Sequence, residues 1–249
     1  MNAQLVFDGK RLILRNFSFQ FFSILMPAGF YLLFTKVMTS GTVPASFNAQ
    51  YMGSMIVYSG TISAIFGLAA MLLHDREEGL LQWLQLMPGG LKAYYGSIGF
   101  WTLVMNAISV LVMGILAVVV NQVNLSIWQW LGVLLSALIG QLPVILLGVM
   151  LSFLNRAETL SVISNLVTFP MAIISGLWWP MSILPSWLRP IGKTMPTYFV
   201  NDLLGQITTH GTLKATDIMG IGAWIIGLAL VALVVTQQLL KRGNGVVKA

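Results

Sequence analysis

Along this chain apolar residues gather in long unbroken runs, and the charged residues fall between them. Six runs stand out, roughly Phe17 to Thr35, Tyr51 to Leu73, Ser97 to Val120, Trp130 to Leu154, Thr159 to Trp178 and Ile218 to Leu240. About 20 apolar residues in a helix cross roughly 30 Å of hydrocarbon, so each run is long enough to span a bilayer. None holds Asp, Glu, Lys or Arg in its interior, where one such charge would cost about 2.5–3.5 kcal/mol on insertion scales. The pattern predicts an all-α polytopic membrane protein with six transmembrane helices. A soluble helical core does not require six such runs, and the strands of a membrane β-barrel would alternate in polarity instead. The first run exceeds the roughly 7–15 residues of a signal-peptide core, and five more follow it, so it reads as an uncleaved first span.

Composition agrees. The chain has 249 residues, of which 57% are hydrophobic and 8% charged, against about 25% charged in soluble domains. One transmembrane domain over 1–249, with no soluble domain, is expected. The formal net charge of +6 acts here as a topology signal, because Lys and Arg collect in cytoplasmic loops. Placing both termini in the cytoplasm puts nine basic residues inside (Lys10, Arg11, Arg15, Arg76, Lys92, Arg156, Lys241, Arg242 and Lys248) and four outside (Lys36, Arg189, Lys193 and Lys214). These residues are scattered and form no basic face, so no nucleic-acid partner is expected. Cysteine is absent, which excludes disulfides, thiolate metal sites and a cysteine nucleophile.

Three segments outside the runs are patterned enough to carry a mechanism. In Met1 to Asn16, Asp8, Arg11 and Arg15 share one helical stripe and Leu5, Val6, Leu12 and Ile13 another, as expected of an interfacial amphipathic helix, or of a basic flank that only sets topology. In His74 to Gly90, Asp75 and Glu78 have the spacing of a capping box. Leu80, Leu81, Trp83, Leu84 and Met87 are spaced for an amphipathic helix that ends at Pro88–Gly89–Gly90. That reads as a rigid cytoplasmic knob offered to a partner, or as a capped continuation of the second span. From Ile174 to Leu204, Pro180, Pro185, Pro190 and Pro196 cut the chain into apolar pieces too short to span. A re-entrant or interfacial helical hairpin on the outer surface is expected, with Trp178, Trp179 and Trp187 as anchors at the headgroups.

Two of these stretches carry a family resemblance. Arg76 to Pro88, REEGLLQWLQLMP, resembles the cytoplasmic loop of type-2 ATP-binding-cassette (ABC) permeases. Ile174 to Leu204, ISGLWWPMSILPSWLRPIGKTMPTYFVNDLL, resembles their last extracellular segment. Length, span count and motif order extend the likeness over the whole chain. The resemblance implies the transmembrane subunit of a bacterial exporter in the inner membrane. Its coupling helix would dock on a separate ABC ATPase, with Arg76, Glu77, Gly79, Leu84 and Pro88 at coupling positions. Gly176, Pro180, Pro190 and Pro196 would sit at an outer gate. A second permease copy, identical or different, and membrane lipid complete the implied partners. The implied cargo ranges over drugs, antibiotics, antimicrobial peptides, lipids and polysaccharides. The uncharged runs, rich in Met, Phe and Ser, favour an apolar or amphipathic molecule.

Other chemistries find less support. No Walker A stretch, G-x-x-x-x-G-K-[ST], occurs, so no cofactor is expected in this chain, and ATP and Mg belong on the partner subunit. His74 and His210 fall on opposite sides of the membrane and form no metal pair. Ser59–Gly60 and Ser175–Gly176 lack the glycine pattern of a serine nucleophile and suit close helix packing. An ion-driven secondary transporter would need an intramembrane acid or histidine, and the runs hold none. An embedded enzyme would need convergent acids or a nucleophile, and Arg156 with Glu158 is a sparse start. A non-transporting immunity or sensory protein differs from these chiefly in lacking an ATPase partner.

Overall fold

The computed structural model describes residues 5, 7, 9–11, 17–38, 44–86 and 90–241. Among them all regular structure is helical. Helix α1 is Phe17–Leu32, continued by a π-helical turn over Leu33–Val37. Helix α2 covers Ala45–Glu77, α3 Leu80–Gln85, α4 Gly90–Asn121 and α5 Ile127–Leu151. Then come α6, Ala157–Ile174, α7, Leu188–Gly192, α8, Pro196–Thr208, and α9, Ala215–Lys241. Five helices, α2, α4, α5, α6 and α9, are long and apolar enough to cross a membrane, and Phe21–Val37 forms a shorter apolar helix.

Helix α2 is the axis of the bundle. In its most apolar stretch 78% of residues are buried, against 17–39% in the other four long helices. Those four therefore each keep an apolar face outward, as lipid-facing helices do, while α2 is enclosed by protein. The core around it is built from Tyr31, Tyr51, Met52, Met55, Tyr58, Met113, Val133 and Leu204.

Lipid tails are as apolar as leucine, so helices in a membrane associate through close packing and hydrogen bonds. Both are present. The Ser59 hydroxyl on α2 donates to the Ser23 carbonyl of α1 at 2.9 Å and accepts from the Ser109 hydroxyl of α4 at 2.7 Å. On α5 the helix breaks at Gln141, just before Pro143, whose ring nitrogen cannot donate. The freed Gln141 side chain donates to the Val57 carbonyl of α2 at 3.2 Å. Midway along α2 the chain widens into a π-helical segment, Ser63–Leu68. There the Ser164 hydroxyl of α6 donates to the Ile65 carbonyl at 3.3 Å, and Gly148 of α5 packs directly on Ala64.

Candidate functional site

One end of the bundle is organised by the last turns of α2. The sequence suggests Asp75 as a helix cap, but α2 runs on through Glu77 and α3 begins at Leu80. Asp75 therefore lies inside a helix and caps nothing. Its carboxylate is fully buried and has stronger partners than a backbone N–H: the Tyr94 hydroxyl of α4 donates to it, and the Arg11 guanidinium pairs with it. The turn comes instead at Gly79, which takes φ +73°.

Helix α3 follows as one and a half turns with two unlike faces. Leu81 and Leu84 are buried against Leu68, Met71, Leu72, Tyr94 and Ile98. Trp83 and Leu86, three residues apart, point away and are 68% and 83% exposed. Arg76 turns inward and donates to the Leu154 carbonyl beyond α5. Glu77 stays exposed and, with His74, Phe66, Leu73, Leu160 and Ser164, lines a cleft of about 290 Å³ between α2 and α6. Pro88 lies outside the described residues, as do Asp8, Leu12, Ile13 and Arg15 of the amino-terminal segment. In its described part Leu5, Phe7, Gly9 and Lys10 are helical. The Trp101 indole donates to the Leu5 carbonyl at 2.9 Å, and Gly9 lies against that ring.

The opposite end begins where α6 stops. Gly176 has φ +82°; the Leu177 N–H donates to the Ala172 carbonyl at 3.0 Å and the Gly176 N–H to Ile173 at 3.4 Å. This is the glycine-dependent termination in which the chain reverses through a left-handed residue. Two short helices then follow, with Pro190 inside α7 and Pro196 in the first turn of α8. Asn201 of α8 ties the turn to the bundle: it accepts from the Ser54 hydroxyl of α2 at 2.8 Å and donates to the Gly176 carbonyl at 3.3 Å.

Between these parts opens a cavity of about 320 Å³, lined by Phe47, Gln50, Tyr51, Ser54, Gly176, Pro180, Met181, Ser182, Tyr198, Asn201 and Asp202. Of the four outer positions suggested by the sequence, Gly176 and Pro180 line it and Pro190 and Pro196 do not. Trp178 is no headgroup anchor. Its ring packs inward between Phe30 at 5.3 Å, Tyr58 at 5.5 Å and Phe169 at 5.7 Å, whereas Trp179 and Trp187 are exposed. Three aromatic faces outweigh the interfacial position for that side chain.

A polar clasp joins α8 to α9. The Gln206 amide nitrogen donates to Asp202 at 3.0 Å and to the buried Asp217 at 2.6 Å, while the Lys214 ammonium donates to Asp202 at 2.8 Å. The hydrogen bond to Asp202 raises the Lys214 pKa above its ordinary value. Among the described residues no three His, Cys, Asp or Glu side chains come together as a metal site.

The sequence reading missed Asp75–Tyr94–Arg11, the Asn201 bridge and the Gln206 clasp. Asp75 alone carried a signal, as an acid at the very edge of an apolar run. Tyr94 and Arg11 are remote from it in sequence and had none.

Enclosed α2, lipid-facing neighbours and irregular segments confined to the two ends define a multi-pass membrane protein. The chain belongs to the ABC-2 family of transporter proteins, whose family model matches residues 34–236. It is 27% identical over 228 residues to a protein of Bacillus subtilis (strain 168) named as a transport permease, YvfS, a match covering 91% of this chain and 92% of that one. No solved structure matches it. Membership makes the chain a transporter's membrane subunit and not a catalytic enzyme, and implies association with an ABC ATPase subunit.

Proposed function

We propose that this protein is the permease subunit of an ATP-driven exporter that moves an apolar or amphipathic molecule, such as a drug or peptide antibiotic, out of the cell. ATP and magnesium sit on the partner ATPase. Two permease copies enclose the pathway in the bacterial inner membrane, with both termini in the cytoplasm. The observation that carries this reading is α3. Trp83 on this six-residue helix and Leu86 just past its end stand exposed, while two leucines fix the other side to the base of α2 and α4. An unpartnered apolar knob on a rigid base suits docking of a protein. Arg76, Glu77, Gly79, Leu84 and Pro88 then serve as coupling positions, with Leu84 acting from beneath. Gly176, Pro180, Pro190 and Pro196 shape the outer gate.

The outer cavity supports an amphipathic cargo, because aromatic Phe47 and Tyr51 share its wall with polar Gln50, Ser54, Asn201 and Asp202. The test is co-purification with an ABC ATPase subunit from the same organism, followed by hydrolysis and uptake into inverted vesicles. ATP-dependent accumulation of a hydrophobic dye or antibiotic is expected. Accumulation that survives ATP depletion and collapses with the ion gradient would overturn the reading.

A further inference from the structure

We propose that Asp75 is a positioning residue that pins the amino-terminal segment, the base of the coupling helix and α4 into one unit, so that a push on α3 is passed to the amino-terminal segment. The proposal rests on the coupling reading of α3 and extends it to the amino-terminal segment.

The Asp75 carboxylate has no exposure to solvent. A buried carboxylate persists only where partners replace its water, and both partners here come from other segments. One oxygen receives the Tyr94 hydroxyl of α4 and the other faces the Arg11 guanidinium. The neighbouring cation, Arg76, is turned away to the Leu154 carbonyl, so Arg11 supplies the compensating charge. Tyr94 has a second role. Its ring belongs to the apolar cluster that holds Leu81 and Leu84 of α3, so the side chain bonded to Asp75 is also part of the floor of the coupling helix.

A second contact holds the amino-terminal segment to the same helix: the Trp101 indole bonded to the Leu5 carbonyl at 2.9 Å, with Gly9 against the ring. Apolar packing alone would let a short interfacial helix slide along α4. A charge-assisted pair at one fixed carboxylate gives it a single register. Displacement of Trp83 and Leu86 by a partner would then move Leu81 and Leu84, the Tyr94 ring, Asp75 and Arg11 together.

The chain contains no cysteine, so introduced cysteines take spin labels cleanly. One label replaces Phe7 and the other Glu78, both exposed, and their separation is measured by pulsed electron resonance in lipid nanodiscs on the permease alone. A single narrow distance is expected in the native chain, and its loss in Asp75→Asn and Arg11→Gln. Tyr94→Phe keeps the ring in the cluster and removes only the hydroxyl, so it tests the pin should the charge variants fail to fold. Equal, narrow distances in all of these variants would overturn the proposal.

A second arm adds the ATPase and places labels at Phe7 and at Val162, which is exposed on α6 and outside the pinned unit. Trapping the nucleotide should shift this distance in the native complex. In Asp75→Asn the shift should be lost while hydrolysis continues, a separation that a purely structural role would not produce. A shift that persists in Asp75→Asn overturns the transmission. Failure of the native chain to bind the ATPase breaks the coupling reading instead, and the Phe7–Glu78 distance still decides the pin.

Discussion

Gly148 and Ala64 meet backbone to backbone. A Cβ at position 148 on α5 would overlap the Ala64 carbonyl oxygen and stand 3.0 Å from its carbonyl carbon. This is the closest kind of helix approach, available only to a residue without a side chain, and it falls where α2 widens into its π-helical segment. The wide turn and the bare glycine together let α5 press on the enclosed helix.

Gly148→Ala should therefore destabilise the bundle. Two effects oppose each other. Alanine gains about 1 kcal/mol over glycine in a helix interior, but overpacking against an unyielding neighbour costs about 1–3 kcal/mol. The atoms in the way are main chain and cannot rotate aside, so overpacking wins. Thermal unfolding in detergent should show a lower midpoint for Gly148→Ala. Gly222→Ala on α9, where a Cβ meets nothing within 4 Å, should leave the midpoint unchanged or raise it.

Gly176→Ala should loosen the end of the bundle where α6 meets α8 without disturbing the end that carries α3. At φ +82° any L side chain is strained, at a cost of about 1–2 kcal/mol. The reversal at Gly176 aims the carbonyl that accepts from the Asn201 amide, and one wall of the cavity beside it, so faster proteolysis between α6 and α8 is expected. Cleavage unchanged from the native rate would show that the turn does not depend on the glycine.

The membrane class was legible because one physical term dominates it: charges are expelled from the bilayer core, and the sequence records that position by position. The turns at Gly79 and Gly176 fall on two glycines that the family resemblance singled out, but the sequence alone did not mark them as turns, although left-handed backbone selects glycine. Asp75 was misread because the acid–x–x–acid spacing of a cap looks the same inside a continuing helix. Its real partners, Arg11 and Tyr94, lie 64 and 19 residues away, and no local pattern encodes that meeting. Trp178 was misread for a related reason, since its three aromatic neighbours come from three different helices.

The α8–α9 clasp predicts a defined pH response. Lys214 has its pKa raised by the hydrogen bond to Asp202. A group raised in the folded state contributes stability that is complete below its unfolded pKa, about 10.4, and is lost as pH rises through the folded value. Its contribution should therefore be flat between about pH 6 and 9 and fall only in the alkaline range. The ammonium is largely exposed, so the effect should stay within about 1 kcal/mol. Unfolding midpoints measured against pH should lose this alkaline component in Lys214→Met. A variant that parallels the native curve above pH 10 would contradict the assignment.

The two faces of α3 should separate in mutagenesis. Leu84→Ala removes a buried side chain and should cost about 2–5 kcal/mol of stability, visible as a lower unfolding midpoint of the permease alone. Trp83→Ala and Leu86→Ala remove side chains that touch solvent, so the midpoint should stay where it is. If the exposed pair is the docking surface, truncating an aromatic anchor there costs about 2 kcal/mol or more, a loss of roughly thirtyfold in affinity for the ATPase subunit. Glu77→Gln should act more weakly, since an exposed charge at a rim changes association rate and salt dependence more than affinity. Titration of the ATPase against nanodisc-embedded permease, alongside unfolding of each variant, resolves the two effects. Unchanged affinity in Trp83→Ala and Leu86→Ala together would move the docking surface off α3.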